Sequence, residues 1–212
     1  MRIIYIHGLD STANSIKGQL LEQYCQTYHP DVEVIRPDLN QSPDEVFSKL
    51  CNLVQSVSST PSEPLNSTMV MGSSLGGYFA SLVSNETGCP AVLLNPSTKP
   101  HVRLQRFVND TVIDSIACDD GNDTVVYRTT GGWGITLGDL DWFGSHKLTQ
   151  ILHPKQVFAV IKEGDELLDP RIATEFYRSQ GVEVALQSGG DHRMTDFESQ
   201  LPMIMDYLTS LR

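Results

Sequence analysis

The residues best suited to covalent chemistry stand at Gly72-Ser73-Ser74-Leu75-Gly76-Gly77. The pattern is G-x-S-x-G, with Ser74 between the glycines. A serine hydroxyl is a weak nucleophile by itself. It attacks a carbonyl efficiently where a base takes its proton and fixed donors receive the charge that develops on the carbonyl oxygen. The apolar run Thr68-Met69-Val70-Met71 before the motif reads as a strand, and the small residues Gly77, Ala80 and Ser81 after it read as a helix. A sharp strand-to-helix turn strains its central residue and raises the hydroxyl above the sheet. It also aims the Leu75 N–H at the place where an oxyanion would form. Ser73 is the rival by proximity, but it is not centred between the glycines.

Such a serine needs an imidazole base, and the base needs an orienting carboxylate. His192 stands in the loop Ser188-Gly189-Gly190-Asp191-His192-Arg193, after an expected strand at 182–186. Asp165 stands in Glu163-Gly164-Asp165-Glu166, after an expected strand at 157–162. Both loops fall at the carboxyl edge of the sheet, where Ser74 also lies. The chain order serine, acid, histidine is the one this turn type uses. Glu166 is the alternative acid, with Glu163 and Asp169 as ordinary loop carboxylates. His101 and His146 fall in an irregular segment and are expected in a lid. His29 and His153 sit beside prolines and read as structural. At the other end of the chain, Ile6-His7-Gly8-Leu9-Asp10 closes the first strand. Leu9 N–H is the natural second oxyanion donor, and Gly8 lets the backbone approach a substrate. His7 shapes the loop, and with Gly8 it is a candidate substrate contact.

These residues are carried by short β-branched runs alternating with amphipathic segments. Strands are expected at 3–6, 32–35, 68–71, 91–94, 156–162 and 182–186. A helix from about Ser15 would bury Ile16, Leu20, Leu21, Tyr24 and Tyr28. Ser42-Pro43-Asp44-Glu45 is a helix start, followed by the stripe Val46, Leu50, Leu53, Val54 and Val57. A polar loop follows at 58–66. Further helices are expected from Ser74 to about Ser84 and from Pro170 to about Gln180. The last opens on a capping box from Thr195 to Glu198, with Pro202 kinking it or delaying its start. The class is α/β, with a mostly parallel sheet and helices on both faces. Residues 97–150 break the alternation and contain both tryptophans. They are expected to form a cap inserted between core strands of a single domain spanning 1–212. Trp133, Trp142 and Phe143 would either line an acyl or aromatic pocket or make the cap's own small core.

The chain of 212 residues carries 15 Lys and Arg against 26 Asp and Glu, a net charge of −11. That balance argues against a nucleic-acid backbone as partner, and against stable association with an anionic membrane surface. No stretch approaches the ~20 apolar residues of a spanning helix. The four cysteines, Cys25, Cys51, Cys89 and Cys118, have no metal-like spacing and are expected to be reduced thiols. With no signal-peptide core at the start, the expected compartment is the cytoplasm.

Four elements in order, the His7-Gly8 turn, the Ser74 turn, the Gly164-Asp165 loop and the Gly190-Asp191-His192 loop, resemble an α/β-hydrolase. More narrowly, the sequence is similar to the small YqiA-like esterase family. The phrases that carry this are Tyr5-Ile6-His7-Gly8-Leu9-Asp10-Ser11, Gly72-Ser73-Ser74-Leu75-Gly76-Gly77-Tyr78, Leu94-Asn95-Pro96, Gly164-Asp165-Glu166-Leu167-Leu168-Asp169 and Gly189-Gly190-Asp191-His192. The resemblance implies a minimal α/β-hydrolase fold of about six strands, lacking the two strands that open larger members. It implies Ser74 as nucleophile, Asp165 as acid and His192 as base. It further implies hydrolysis of a small-molecule carboxylic ester or acyl thioester through an acyl-enzyme, without metal or organic cofactor. Residues 97–150 match no family pattern, so the substrate is the least defined part. A peptidase or acyltransferase with the same triad is the alternative among enzymes. A non-catalytic ligand-binding protein of this fold is the alternative outside them.

Overall fold

The computed structural model describes residues 1–56, 68–110 and 124–211. In chain order the elements are β1 (Arg2–Ile6), α1 (Ile16–Tyr28), β2 (Glu33–Ile35), α2 (Pro43–Gln55), β3 (Thr68–Ser73), α3 (Leu75–Thr87) and β4 (Ala91–Leu94). Then come α4 (Pro100–Arg103), α5 (Arg106–Asp110), β5 (Val125–Arg128), β6 (Gly134–Thr136) and α6 (Leu137–Ser145). The chain ends with β7 (Val157–Lys162), α7 (Pro170–Ser179), β8 (Glu183–Gln187) and α8 (Phe197–Ser210). Six strands form one sheet in the order β2-β1-β3-β4-β7-β8, and every pairing in it is parallel. The chain steps out from β1 to β2, then returns across β1 to β3. The switch between β1 and β3 opens a crevice at their carboxyl ends, where ligands bind in open sheets of this kind.

Both faces of the central strands are buried, which is why they read as continuous apolar runs rather than alternating ones. Ile4, Ile6, Val70, Leu93 and Ala159 face one core with α2, α3, α6 and α7. Ile3, Tyr5, Met69, Met71, Val92 and Val160 face the other, covered by α1 and α8. α1 departs from its expected stripe. It buries Gly18, Leu21 and Cys25, while Ile16 and Tyr28 are largely exposed. The helix leans on the sheet at Gly18, where an added Cβ would come within 3.1 Å of Tyr5 and 3.0 Å of Arg36. That contact turns the two ends of the stripe outward.

The helix start at Ser42 forms as expected, with Glu45 accepting from the Ser42 N–H. The expected capping box at Thr195 does not form. α8 begins at Phe197, and Thr195 hydrogen-bonds back to Asp191. Asp196 is drawn instead to the buried Lys162 ammonium at 2.5 Å. α8 runs on through Pro202. The expected loop 58–66, Cys118 and residues 111–123 of the insertion lie outside the described residues. Within the described part of 97–150, Trp133, Ile135, Leu140 and Phe143 join the same core as α2 and α3. Cys25, Cys51 and Cys89 are free and buried. No helix among the described residues is long and apolar enough to cross a membrane.

Leu201 is fully buried in the core beneath α8. Leu201→Ala should cost about 3 kcal/mol. For a domain of this size that lowers Tm by roughly 6–12 °C, which calorimetry would measure.

Candidate active site

Ser74 has φ 57° and ψ −118°, a conformation costly for any residue with a side chain. It persists because the chain around it is held on several sides. Ser74 N–H donates to Leu94 O at 2.9 Å, and Ser74 O accepts from Gly77 N–H at 2.9 Å and Ser97 N–H at 3.0 Å. The two glycines of the motif make the crossing possible. A Cβ on Gly72 would lie 2.1 Å from Gly76 O, and one on Gly76 would lie 2.1 Å from Ile6 O. Only bare backbone lets α3 start so close to β1 and β3. Ser73, the rival serine, is buried.

His192 reaches Ser74 from the loop after β8. Its Nε2 lies 3.0 Å from Ser74 Oγ, and its Nδ1 lies 2.8 Å from Asp165 Oδ2. A carboxylate can only accept, so Nδ1 carries the proton and Nε2 is free to accept from the serine hydroxyl. Asp165 is buried, and its second oxygen accepts from the N–H groups of Leu167 and Leu168 at 2.9 and 2.8 Å. Those bonds fix the carboxylate plane. The other acids of the loop are otherwise occupied. Glu166 accepts the His192 backbone N–H, Glu163 accepts from Ser188 Oγ, and Asp169 caps α7. Gly164 is needed for contact between the two loops, since its Cβ would lie 2.3 Å from Gly190 O.

Two features behind His192 are not among the expected site residues, although Asn95 stands in the phrase Leu94-Asn95-Pro96. Asn95, just past β4, is 2% exposed. Its side-chain amide donates to the carbonyls of Asp191 and His192 at 3.0 and 3.2 Å, and its Oδ1 accepts from Lys162 N–H at 2.8 Å. The stem of Lys162 packs under Gly190, which has φ 73°. The sequence signal for Asn95 is its place in Leu94-Asn95-Pro96, a polar residue directly after a wholly apolar strand and before proline, with no role attached to it.

Across the crevice, Gly8 lies against Ser74. An added Cβ there would be 3.2 Å from Ser74 Cβ and 3.8 Å from its Oγ. Leu75 is the first residue of α3, so its N–H has no acceptor one turn back. Gly8, Leu9 and Leu75 share one narrow pocket with the apolar side chains Leu39, Val46, Phe79 and Trp133. Asp10, Asn40, Gln41 and Thr129 supply its polar lining. His7 also borders it, but both ring nitrogens are engaged: Nδ1–H donates to Gly8 O at 3.0 Å, and Nε2 accepts from Leu39 N–H at 3.1 Å. Burial lowers its pKa from 6.5, despite Asp38 at 3.8 Å. His7 therefore shapes the loop and offers a substrate no free nitrogen.

Of the three aromatic candidates in the insertion, only Trp133 borders the pocket. Phe143 is fully buried against Tyr78 and Phe79. Trp142 stacks on His146 at 3.9 Å and covers Phe47 and Phe79. These two belong to the packing of α6 against α2 and α3. His101 lies in α4, His29 ends α1, and His153 precedes a short 3-10 turn at Pro154–Gln156. The hairpin β5–β6 that carries Trp133 is held by polar contacts. Tyr127 OH and Thr130 N–H donate to Asp10 at 2.8 and 3.0 Å, and Thr129 Oγ1 donates to Asn40 at 3.2 Å. Among the described residues, no three His, Cys, Asp or Glu side chains converge as a metal's ligands would.

Residues 2–209 match the model of the family described as "Uncharacterised protein family (UPF0227)", and the chain belongs to that family. Its fold is shared with solved structures of low sequence identity. Est1E from Butyrivibrio proteoclasticus matches with a TM-score of 0.72 at 11% identity, over 98% of this chain and 88% of that one. Alpha/beta hydrolase domain-containing protein 10 from mouse matches with a TM-score of 0.66 at 19% identity, over 100% and 90%. Monoacylglycerol lipase from Paleococcus ferrophilus matches with a TM-score of 0.64 at 14% identity, over 99% and 94%. The chain has the α/β-hydrolase fold, as the four ordered motifs implied.

The lowered pKa of His7 links stability to pH. Below pH 6.5 the unfolded chain takes up a proton at this residue that the folded chain refuses, so stability falls as pH drops toward the folded pKa. The stability lost between pH 7.5 and 5.5 should be smaller in His7→Asn than in the wild type. Urea denaturation at the two pH values would measure the difference.

Proposed function

We propose that this member of the UPF0227 family is a serine hydrolase that cleaves small carboxylic esters or acyl thioesters through an acyl-enzyme. The observation that carries the reading is the unbroken relay from Asp165 through His192 to Ser74, with links of 2.8 and 3.0 Å. In this reading His192 Nε2 takes the proton from Ser74 as Oγ attacks the carbonyl carbon. The N–H groups of Leu9 and Leu75 receive the charge on the carbonyl oxygen. His192 then gives its proton to the leaving alcohol or thiol, which departs as the C–O or C–S bond breaks. A water molecule, deprotonated by His192, attacks the acyl-enzyme and releases the acid and free Ser74. Asp165 holds the imidazole tautomer and stabilises the imidazolium between proton transfers.

The pocket beside Leu9 and Leu75 is the natural seat of the acyl group, because those two N–H groups flank the carbonyl. Its apolar walls suit a short hydrocarbon chain, and Trp133 limits its length. The esterase and lipase among the structural neighbours are in keeping with ester chemistry. The buried free thiols at Cys25, Cys51 and Cys89 suit a cytoplasmic setting.

Intact-mass spectrometry with a fluorophosphonate tests the relay directly. Wild type should gain one adduct, mapped to Ser74, as the Oγ–P bond forms and fluoride leaves. Ser74→Ala should gain none, and His192→Ala should react at least ~100-fold more slowly. Equal labelling of Ser74→Ala would overturn the assignment. In a panel of acyl esters, Trp133→Leu should raise the preference for longer over shorter chains by about tenfold.

A further inference from the structure

We infer that Asn95 is the positioning residue that sets the separation between Ser74 and His192. The inference rests on the serine-hydrolase reading and adds a residue to it. Two chain segments meet at Asn95. On one side, its neighbours are bonded to the nucleophile: Leu94 O accepts from Ser74 N–H, and Ser97 N–H donates to Ser74 O. On the other side, its Nδ2 holds the carbonyls of Asp191 and His192. The serine and the base are thus tied to one short stretch of backbone. Their spacing does not depend on the single bond between their side chains.

The residue type fits the task. Asn95 has φ 42°, a left-handed conformation that asparagine tolerates better than most residues. That turn ends β4 and places the side-chain oxygen on Lys162 N–H, while Asn95 N–H donates to Val160 O at 3.0 Å. The side chain therefore accepts from β7 and donates twice to the base loop. No other residue of this size does both: aspartate supplies the acceptor and, when ionised, no donor. A carboxylate at this position would also face the two carbonyl oxygens of the loop.

Asn95→Gly keeps the left-handed turn and removes the clamp, and Asn95→Asp keeps the volume and removes the donors. Two readouts separate positioning from general destabilisation. The first is catalysis, measured well below Tm. Both variants should lose kcat by about tenfold to a hundredfold, with KM within about twofold and fluorophosphonate labelling of Ser74 slowed in parallel. The second is hydrogen exchange in residues 189–194, which should quicken while exchange in α3 stays as in wild type. If Asn95→Gly does not fold, Asn95→Asp carries both measurements. Wild-type kcat and labelling in the variants would overturn the inference, as would unchanged exchange in the loop. A wild-type protein that takes no adduct would count against the hydrolase reading, and the exchange measurement would still decide the clamp.

Discussion

The approach of Gly76 to the end of β1 is the constraint on which the site depends. Its Cα sits where any side chain would strike the carbonyls of Ile6 and His7. Because the contact is backbone against backbone, α3 can begin directly over the crevice between β1 and β3. Ser74 is then forced into its positive-φ turn at the top of β3, and Leu75 N–H is left pointing out of the helix end. The loop carrying Gly8 crosses the same place, so Ser74 and the N–H groups proposed to hold an oxyanion come together in one packing event. The strain at Ser74, of order 1–3 kcal/mol, is balanced by burial and by the bonds that fasten its peptide groups to Leu94, Gly77 and Ser97.

Much of this was legible in the sequence because it is local. The six core strands follow from apolar runs bounded by Gly, Pro and Asp, and each proposed triad residue stands in the turn or loop that follows a strand. The glycines are informative because tight turns leave no alternative. What sequence reasoning missed depends on distant partners. Thr195 has a capping pattern, but the buried Lys162 competes for Asp196 and shifts the start of α8. Ile16 and Tyr28 have helical spacing, but the lean of α1 on Gly18 turns them to solvent. Asn95 has no local signature of its bonds to residues nearly a hundred positions away. Trp142 and Phe143 are aromatic in the same way as Trp133, and only the docking of α6 decides which of the three meets the pocket.

The two sides of the crevice are held by different forces. On the acid and histidine side, glycines and buried polar groups bring backbone against backbone, as at Gly164 and Gly190. On the pocket side, the β5–β6 hairpin buries Trp133 and Ile135 in the core with α2 and α3, and is also joined to the loops after β1 and β2 through Asp10 and Asn40. Such polar contacts exchange readily for water and contribute little net stability each. Ser74, His192 and Asp165 thus stand on close backbone contacts, while the pocket wall combines buried apolar packing with polar bonds between loops.

His192 comes after β8, 118 positions beyond Ser74. Domains generally fold as units. The segment after β4 that fastens Ser74 is itself bonded to Val160 of β7 and to the loop after β8 through Asn95. The edge strand β8 is therefore part of what holds the turn at Ser74 in place. Under the proposed reading, a chain cut before β8 would lose the proton acceptor and one support of the serine together.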